Sequence, residues 1–267
     1  MSPSHRTQWD VVPDGVVVVT GGASGIGRAL AERFAREGAR AVVVADLSEA
    51  AAQTVAAGLD CTQAMGIGLD VTDGVAVDSA TERIEAELGA ITLWCSNAGV
   101  ALGDGLGGDD DWERSWHVHV QAHIHVARSV LPRMSGRGRG HLMITASAAG
   151  LLTNMDSAPY SVTKHGAVAL AEWLAIRHGD AGIGVSCLCP QGVRTPMTDR
   201  PDSGSATRAA GGFLEPPDVA DAVVAALTES RFLILPHPEV AEYERRRAVD
   251  RDRWLTGMRR MWAKISG

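Results

Sequence analysis

The chain has 267 residues, 45% hydrophobic and 21% charged, with 25 Lys+Arg against 32 Asp+Glu. At roughly 150 residues per domain this length allows one domain or two, and a single α/β domain of this size buries a full core without metal or disulfide support. A net charge of −7 argues against a dedicated nucleic-acid or anionic-membrane binder, and no stretch approaches a membrane span of roughly 18 apolar residues.

The first ten residues hold no apolar signal-peptide core. Four cysteines, Cys61, Cys95, Cys187 and Cys189, form no CxxC pair, so they are expected as buried thiols in a reducing compartment. The expectation is a cytoplasmic protein.

In chain order, short Val/Ile/Leu runs alternate with Ala-rich runs of helical period. Strands are expected at 16–20, 41–45, 64–69, 91–96, 141–146, 184–188 and 232–235. Helices are expected at 26–37, 48–57, 73–88, 112–131, 158–177 and 218–229. Strands that are apolar throughout are buried on both faces, and the alternation with helices builds βαβ units. The fold class is therefore α/β: a doubly wound, Rossmann-like parallel sheet with helices on both faces, in one domain. Ligands then sit at the carboxyl ends of the strands. Residues 194–217 lack periodicity and are long for a loop, which makes them a lid over substrate; the Gly-rich run 102–108 is a second mobile loop.

Thr20-Gly-Gly-Ala-Ser-Gly-Ile-Gly27 follows the first strand and opens the first helix. Gly21 permits the tight turn, Gly25 lets backbone approach a pyrophosphate, and Gly27 lets the helix pack on the strand. The N–H groups around Ser24 and Ile26 and the helix dipole then favour phosphate. The plainer alternative is a Gly-rich turn that binds nothing. Asp46 ends the second strand, where a carboxylate accepts hydrogen bonds from ribose hydroxyls and repels a 2′-phosphate. Its plainer role is a helix-start acid before Ser48. Neither Ser24 nor Leu47 is basic, so the cofactor expected is NAD rather than NADP.

The chain has two tyrosines, Tyr160 and Tyr243. Tyr160 lies in Tyr160-Ser-Val-Thr-Lys164, which places phenol and ammonium on one helix face. A phenol with a pKa of about 10 is a poor acid or base at neutral pH unless a cation stabilises its phenolate. Lys164 is placed to do so, and Ser147, just past the fifth strand, to hydrogen-bond a substrate oxygen. Each feature alone is common; the ordered set of glycine loop, acid, serine and Tyr/Lys pair is not.

With these residues the chain resembles the short-chain dehydrogenase/reductase family in its shorter, single-domain form, over nearly its whole length. The resemblance extends to Leu69-Asp70-Val71-Thr72, which in the family lies against adenine, and to Ser96-Asn97-Ala98-Gly99, where the family more often has Asn in place of Ser96. Pro190-Gln-Gly-Val-Arg-Thr-Pro-Met197 resembles the segment that holds the nicotinamide carboxamide through Val193 and Thr195, with Gln191 where Gly is usual. The resemblance implies that Tyr160 is the acid/base, Ser147 orients substrate, and Lys164 lowers the tyrosine pKa and binds the ribose. It implies an oxidoreductase moving hydride between NAD(H) and a secondary alcohol or ketone. It also implies a homo-oligomer, expected as a tetramer through the helices at 112–131 and 158–177.

One departure bears on mechanism. The family's catalytic Asn, which holds a water on the proton path, aligns with His119. Imidazole donates, accepts and titrates near neutrality, so His119 is expected to carry the relay. The alternative is a non-catalytic NAD-binding or regulatory protein. His117, His119, His123 and His125 invite a metal reading, but only His119 and His123 share a face, so they are read as a polar helix face or subunit contact and no metal is expected. Residues 239–267 read as an amphipathic helical tail interrupted at Gly257, docking on the core, contacting a subunit or walling the substrate pocket. Leu151, Leu152, Met155 and Met197 point to an apolar pocket.

Overall fold

A computed structural model describes residues 8–198 and 212–266. Seven strands form one all-parallel sheet in the order β3-β2-β1-β4-β5-β6-β7. They are β1 (Val16–Thr20), β2 (Ala41–Asp46), β3 (Gln63–Gly68), β4 (Ile91–Ser96), β5 (Gly140–Thr145), β6 (Ile183–Leu188) and β7 (Leu233–Ile234). The strand order reverses between β1 and β4, which opens a crevice at their carboxyl ends.

Branched, apolar strands fix this arrangement because both faces of the sheet are covered. Val16 and Val18 pack on the side of α3 (Gly74–Leu88), α5 (Ala122–Arg137) and α7 (Ala158–His178). Val17 and Val19 pack on the other side, against α1 (Gly25–Arg36), α2 (Glu49–Ala57) and the helix at 216–228. Phe34, Leu30, Trp94 and Met143 are fully buried between sheet and helices. Each such side chain contributes roughly 1.5–3 kcal/mol of transfer free energy, which holds the strand ends in register.

Between β4 and β5 the chain is helical but not uniform. α4 (Asp109–Trp116) runs into a π-helical turn, His117–Gln121, and then into α5. The expected stop before Pro132 does not occur: α5 passes through it to Arg137, where Gly138 caps the helix in the left-handed region. A short helix, α6 (Ala149–Leu152), precedes α7. The sheet side is completed by α8 (Pro216–Thr228).

The C-terminal segment is two helices, α9 (Glu239–Val249) and α10 (Arg251–Ile265). The break falls at Asp250 rather than at Gly257. The Asp250 carboxylate accepts the Arg253 N–H and starts a new helix there, while Gly257 is carried inside α10. Of the predicted lid, residues 199–211 lie outside the described residues. Its roots are tied together: Arg194 N donates to Leu214 O at 2.9 Å, and Arg194 pairs with Glu215 at 2.8 Å. The Gly-rich 102–108 loop is also tied down, with Gly105 N donating to Asp156 O and Ala158 N to Gly105 O, both at 2.8 Å.

Candidate active site

The carboxyl edge of the sheet gathers the glycine turn, Asp46, Asn97, Ser147, Tyr160 and Lys164. At the β1–α1 turn, Gly21 and Gly25 have φ of +62° and +51°. A Cβ on Gly27 would stand 2.1 Å from Gly21 O, and one on Gly25 2.9 Å from Thr195 Cγ2. The turn is therefore closed to side chains, and it faces the segment after β6. Ser24 caps α1 by backbone conformation alone, making no side-chain cap hydrogen bond, so the first N–H groups of α1, beginning near Ile26, stay available to an anion.

Asp46 at the end of β2 accepts Ala23 N–H at 3.1 Å on one oxygen and Ser48 N–H at 3.2 Å on the other. These bonds aim a half-exposed carboxylate across the glycine turn and leave further lone pairs for a ligand. Leu47 beside it is 76% exposed and offers no charge. After β3, Asp70 folds back to accept the backbone and side chain of Thr72 at 2.9 and 2.7 Å, and Val71 is buried next to it.

Asn97, after β4, donates to Thr20 O at 3.0 Å and accepts from Thr145 Oγ1 at 3.1 Å, bolting β1, β4 and β5 together. Lys164 is buried on α7 and donates to Thr145 O at 3.0 Å. Gly99 lies against both Lys164 and His119: a Cβ there would sit 3.7 Å from Nζ and 3.8 Å from Nε2. Lys164 Nζ stands 5.8 Å from the Tyr160 ring centre. Ser147, after β5, lies beside Tyr160 and Pro190, with its hydroxyl 3.4 Å from Pro190 O. Val193 is buried where it pairs with Leu214.

Burial governs the proton chemistry. It raises the Tyr160 phenol above its usual range, with the hydrogen bond to Ser147 opposing the shift. Burial also lowers Lys164 to about 8. The expected lowering of the phenol is thus outweighed by desolvation within the protein's own groups.

His119 is fully buried in the π turn, where the sequence had placed it on a polar face. Its Nε2 accepts the Val100 N–H at 3.1 Å, so that nitrogen carries no proton. Nδ1–H then donates to Thr163 Oγ1 at 2.9 Å, whose own hydroxyl donates to Pro159 O at 2.7 Å. Burial, then the Lys164 charge, then His123 push the imidazole well below its usual pKa. A near-neutral titration of His119 is therefore not what the fold provides.

His123, also expected on a polar helix face or subunit contact, is likewise fully buried. His123 Nδ1 lies 2.6 Å from Ser96 Oγ, and its Nε2 is buried without a partner. Ser96 and His123 are separated along the chain, so only the fold brings them together. Among the described residues no group of three His, Cys, Asp or Glu side chains could hold a metal, and all four cysteines are free.

Next to Ser147 and Tyr160 opens a cavity of about 1430 Å³. Leu152, Met155 and Met197 line it as expected, whereas Leu151 belongs to the core. Its far wall is the C-terminal pair α9–α10, through Tyr243, Trp254, Met258 and Met261. The pocket-wall reading of that segment is the one its geometry fits.

A family model described as short chain dehydrogenase matches residues 15–205. The 1-deoxy-11-beta-hydroxypentalenate dehydrogenase of Streptomyces exfoliatus is 38% identical over 234 residues, 83% of this chain and 82% of that protein. The meso-2,3-butanediol dehydrogenase of Serratia marcescens is 36% identical over 186 residues, covering 69% and 73%. Among solved structures, a short chain dehydrogenase/reductase from Burkholderia phymatum in complex with NAD superposes with a TM-score of 0.78 at 32% identity, covering 89% of this chain and 94% of that one. With a family match over residues 15–205 and a relative 38% identical over 83% of the chain, this chain belongs to the short-chain dehydrogenase/reductase family.

Proposed function

We propose that the protein is an NAD-dependent oxidoreductase that interconverts a secondary alcohol and its ketone. The observation that carries this reading is the meeting of Ser147, Tyr160 and Lys164 between the glycine-turn crevice and the apolar cavity. The crevice suits a dinucleotide: its glycines leave room for backbone approach, the α1 N-terminus is free for phosphate, and Asp46 presents a carboxylate to a ribose diol. That carboxylate opposes a 2′-phosphate, which favours NAD over NADP. Gly21, Gly25, Asp46, Val71, Asn97, Val193 and Thr195 would frame the cofactor, with the Lys164 ammonium toward its ribose.

NAD, when bound, supplies the hydride acceptor or donor. In oxidation the C–H bond of the carbinol breaks with its electron pair leaving as hydride, and the hydroxyl proton passes to the Tyr160 phenolate. Ser147 holds the reacting oxygen, and Lys164 stabilises the phenolate by charge. Reduction reverses each transfer. His119 serves as a neutral partner that positions Val100 and the Tyr160 side of α7. The alternative of a binder without turnover rests on the Asn-to-His change alone, and the intact Ser/Tyr/Lys set opposes it.

The active form is inferred to be a cytoplasmic homotetramer. Trp116, Val162, Trp173 and Ile176 on α4 and α7 are exposed, which is a large apolar surface for a lone subunit. No helix of the described residues is long and apolar enough to cross a membrane.

The test is absorbance at the nicotinamide band while secondary alcohols and ketones are screened with NAD(H), alongside Tyr160→Phe. Turnover in the parent and none in the variant supports the reading. NAD binding with no turnover on any substrate favours the binder.

A further inference from the structure

Between β7 and α9 the chain runs Leu235-Pro236-His237-Pro238. A proline ring on each side restricts the backbone, so His237 stands on a stiff support. Its imidazole is buried and uses both ring nitrogens on the segment that follows β6. Nδ1 accepts the Gln191 N–H at 3.2 Å, and Nε2–H donates to Gly192 O at 3.1 Å. A backbone N–H only donates and a carbonyl only accepts, so these partners fix the ring as its neutral Nε2–H tautomer.

Backbone bonds join the β6 and β7 segments as far as Cys189 N–H to Ile234 O, at 2.9 Å. Beyond that point the His237 side chain supplies the bonds that backbone supplied before it. The stretch it holds runs between the crevice and Ser147. On one side Pro190 O accepts the Ala148 N–H at 2.8 Å. On the other, Gly192 O also accepts the Leu214 N–H at 3.0 Å, and Val193 pairs with Leu214. Two residues further on, Thr195 closes on the glycine turn, its Cγ2 2.9 Å from where a Cβ on Gly25 would stand.

We infer that His237 is a positioning residue: its neutral imidazole sets the backbone at Gln191–Gly192 so that Val193 and Thr195 meet the nicotinamide half of NAD(H). The inference rests on the dehydrogenase reading above for the cofactor, and on the two hydrogen bonds for the clamp. Removing the ring takes the partner from the Gln191 N–H and one of two from Gly192 O. The segment is thereby loosened, while Asp46 keeps its bonds to Ala23 and Ser48.

The test uses three variants and two ligands. His237→Phe fills the space and makes neither bond. His237→Asn keeps an amide oxygen for the Gln191 N–H, and His237→Gln keeps an amide N–H for Gly192 O. NADH is compared with ADP-ribose, which carries the same adenosine and pyrophosphate and lacks the nicotinamide. His237→Phe should weaken NADH roughly tenfold and ADP-ribose by less than about twofold, with part of the NADH loss recovered in the Asn and Gln variants. Hydrogen exchange on the unliganded protein reads the clamp directly: the Gln191 amide should exchange faster in His237→Phe and slow again in His237→Asn. Should His237→Phe fail to fold, the Asn and Gln variants carry the same comparison. Equal losses of NADH and ADP-ribose would overturn the role, because a merely structural residue would weaken both. So would NADH affinity that ignores the substitutions, or Gln191 exchange that does. A parent that binds no NADH would instead overturn the cofactor reading itself, a result distinct from binding that is independent of His237.

Discussion

The imidazole of His119 stands perpendicular to the ring of Tyr160, with centroids 5.4 Å apart and planes at 88°. Both imidazole nitrogens are already engaged, one by Val100 N–H and the other by Thr163. The histidine thus borders the phenol as a fixed neutral body rather than as a second titrating group.

His119→Ala should lower kcat by roughly tenfold to a hundredfold while NAD affinity changes little, since the ring touches Val100, Thr163 and Tyr160. His119→Asn, which keeps an acceptor for Val100 N–H, should retain most of the turnover. Because His119 is held neutral well below its usual pKa, the acid side of the kcat/KM profile above pH 6 should be the same in parent and Asn variant. An acid limb near 6.5 that vanishes in the variant would show that His119 titrates in the cycle after all.

Asp46→Ala should narrow the preference for NAD(H) over NADP(H) by roughly tenfold or more, chiefly by relieving repulsion of the 2′-phosphate. Fluorescence titration of both cofactors measures it. NADP(H) binding as tightly as NAD(H) in the parent would end the assignment of Asp46.

The buried histidines make stability depend on acid. Burial lowers His123 and His141 to about 3, while in the unfolded chain each returns to about 6.5. Between those values the unfolded state binds more protons, so stability is full above pH 6.5 and falls as pH drops toward 3. Each group contributes at most on the order of 5 kcal/mol to that loss. His141→Gln leaves an amide for Ser186 and removes the titration, so its denaturation midpoint should fall less steeply from pH 7 to 4 than the parent's. Parallel curves would exclude His141 as a source. At the alkaline end the sign is similar: with Lys164 lowered to about 8 from 10.5, stability should rise across that interval.

Ile176→Asp and Trp173→Glu, at positions 85% and 58% exposed in the single chain, should leave the subunit folded and disrupt assembly. Light scattering on parent and variants decides the matter. A parent that runs as a monomer at micromolar concentration would remove the tetramer.

Most of the sheet was legible because βαβ strands covered on both faces read as unbroken runs such as Val16–Thr20, with no alternation to confuse the period. The glycine turn and the Tyr160/Lys164 pair were legible because their spacing is local. What escaped depended on contacts between distant segments. The π turn has no compositional mark, yet it contains His119, which lies buried beside Tyr160. The Ser96–His123 pair crosses from β4 to α5, and nothing in either segment names the other. The break at Asp250 has a weaker compositional mark than Gly257, yet a glycine on an exposed helix costs only about 1 kcal/mol and a capping aspartate decides where a helix starts.

The helix α10 has no fully buried residue, yet it closes one side of the cavity through Trp254, Met258 and Met261. Chemistry and selection are thereby assigned to parts of unequal rigidity. The groups proposed to handle the proton sit on strand ends and on α7, where any shift disturbs the core; the cavity wall proposed to judge substrate shape belongs to a segment with no fully buried residue. Substitutions in α10 can reshape what enters at little expense to folding, so new substrates can be acquired here by drift in the closing helices while the reaction itself stays unchanged.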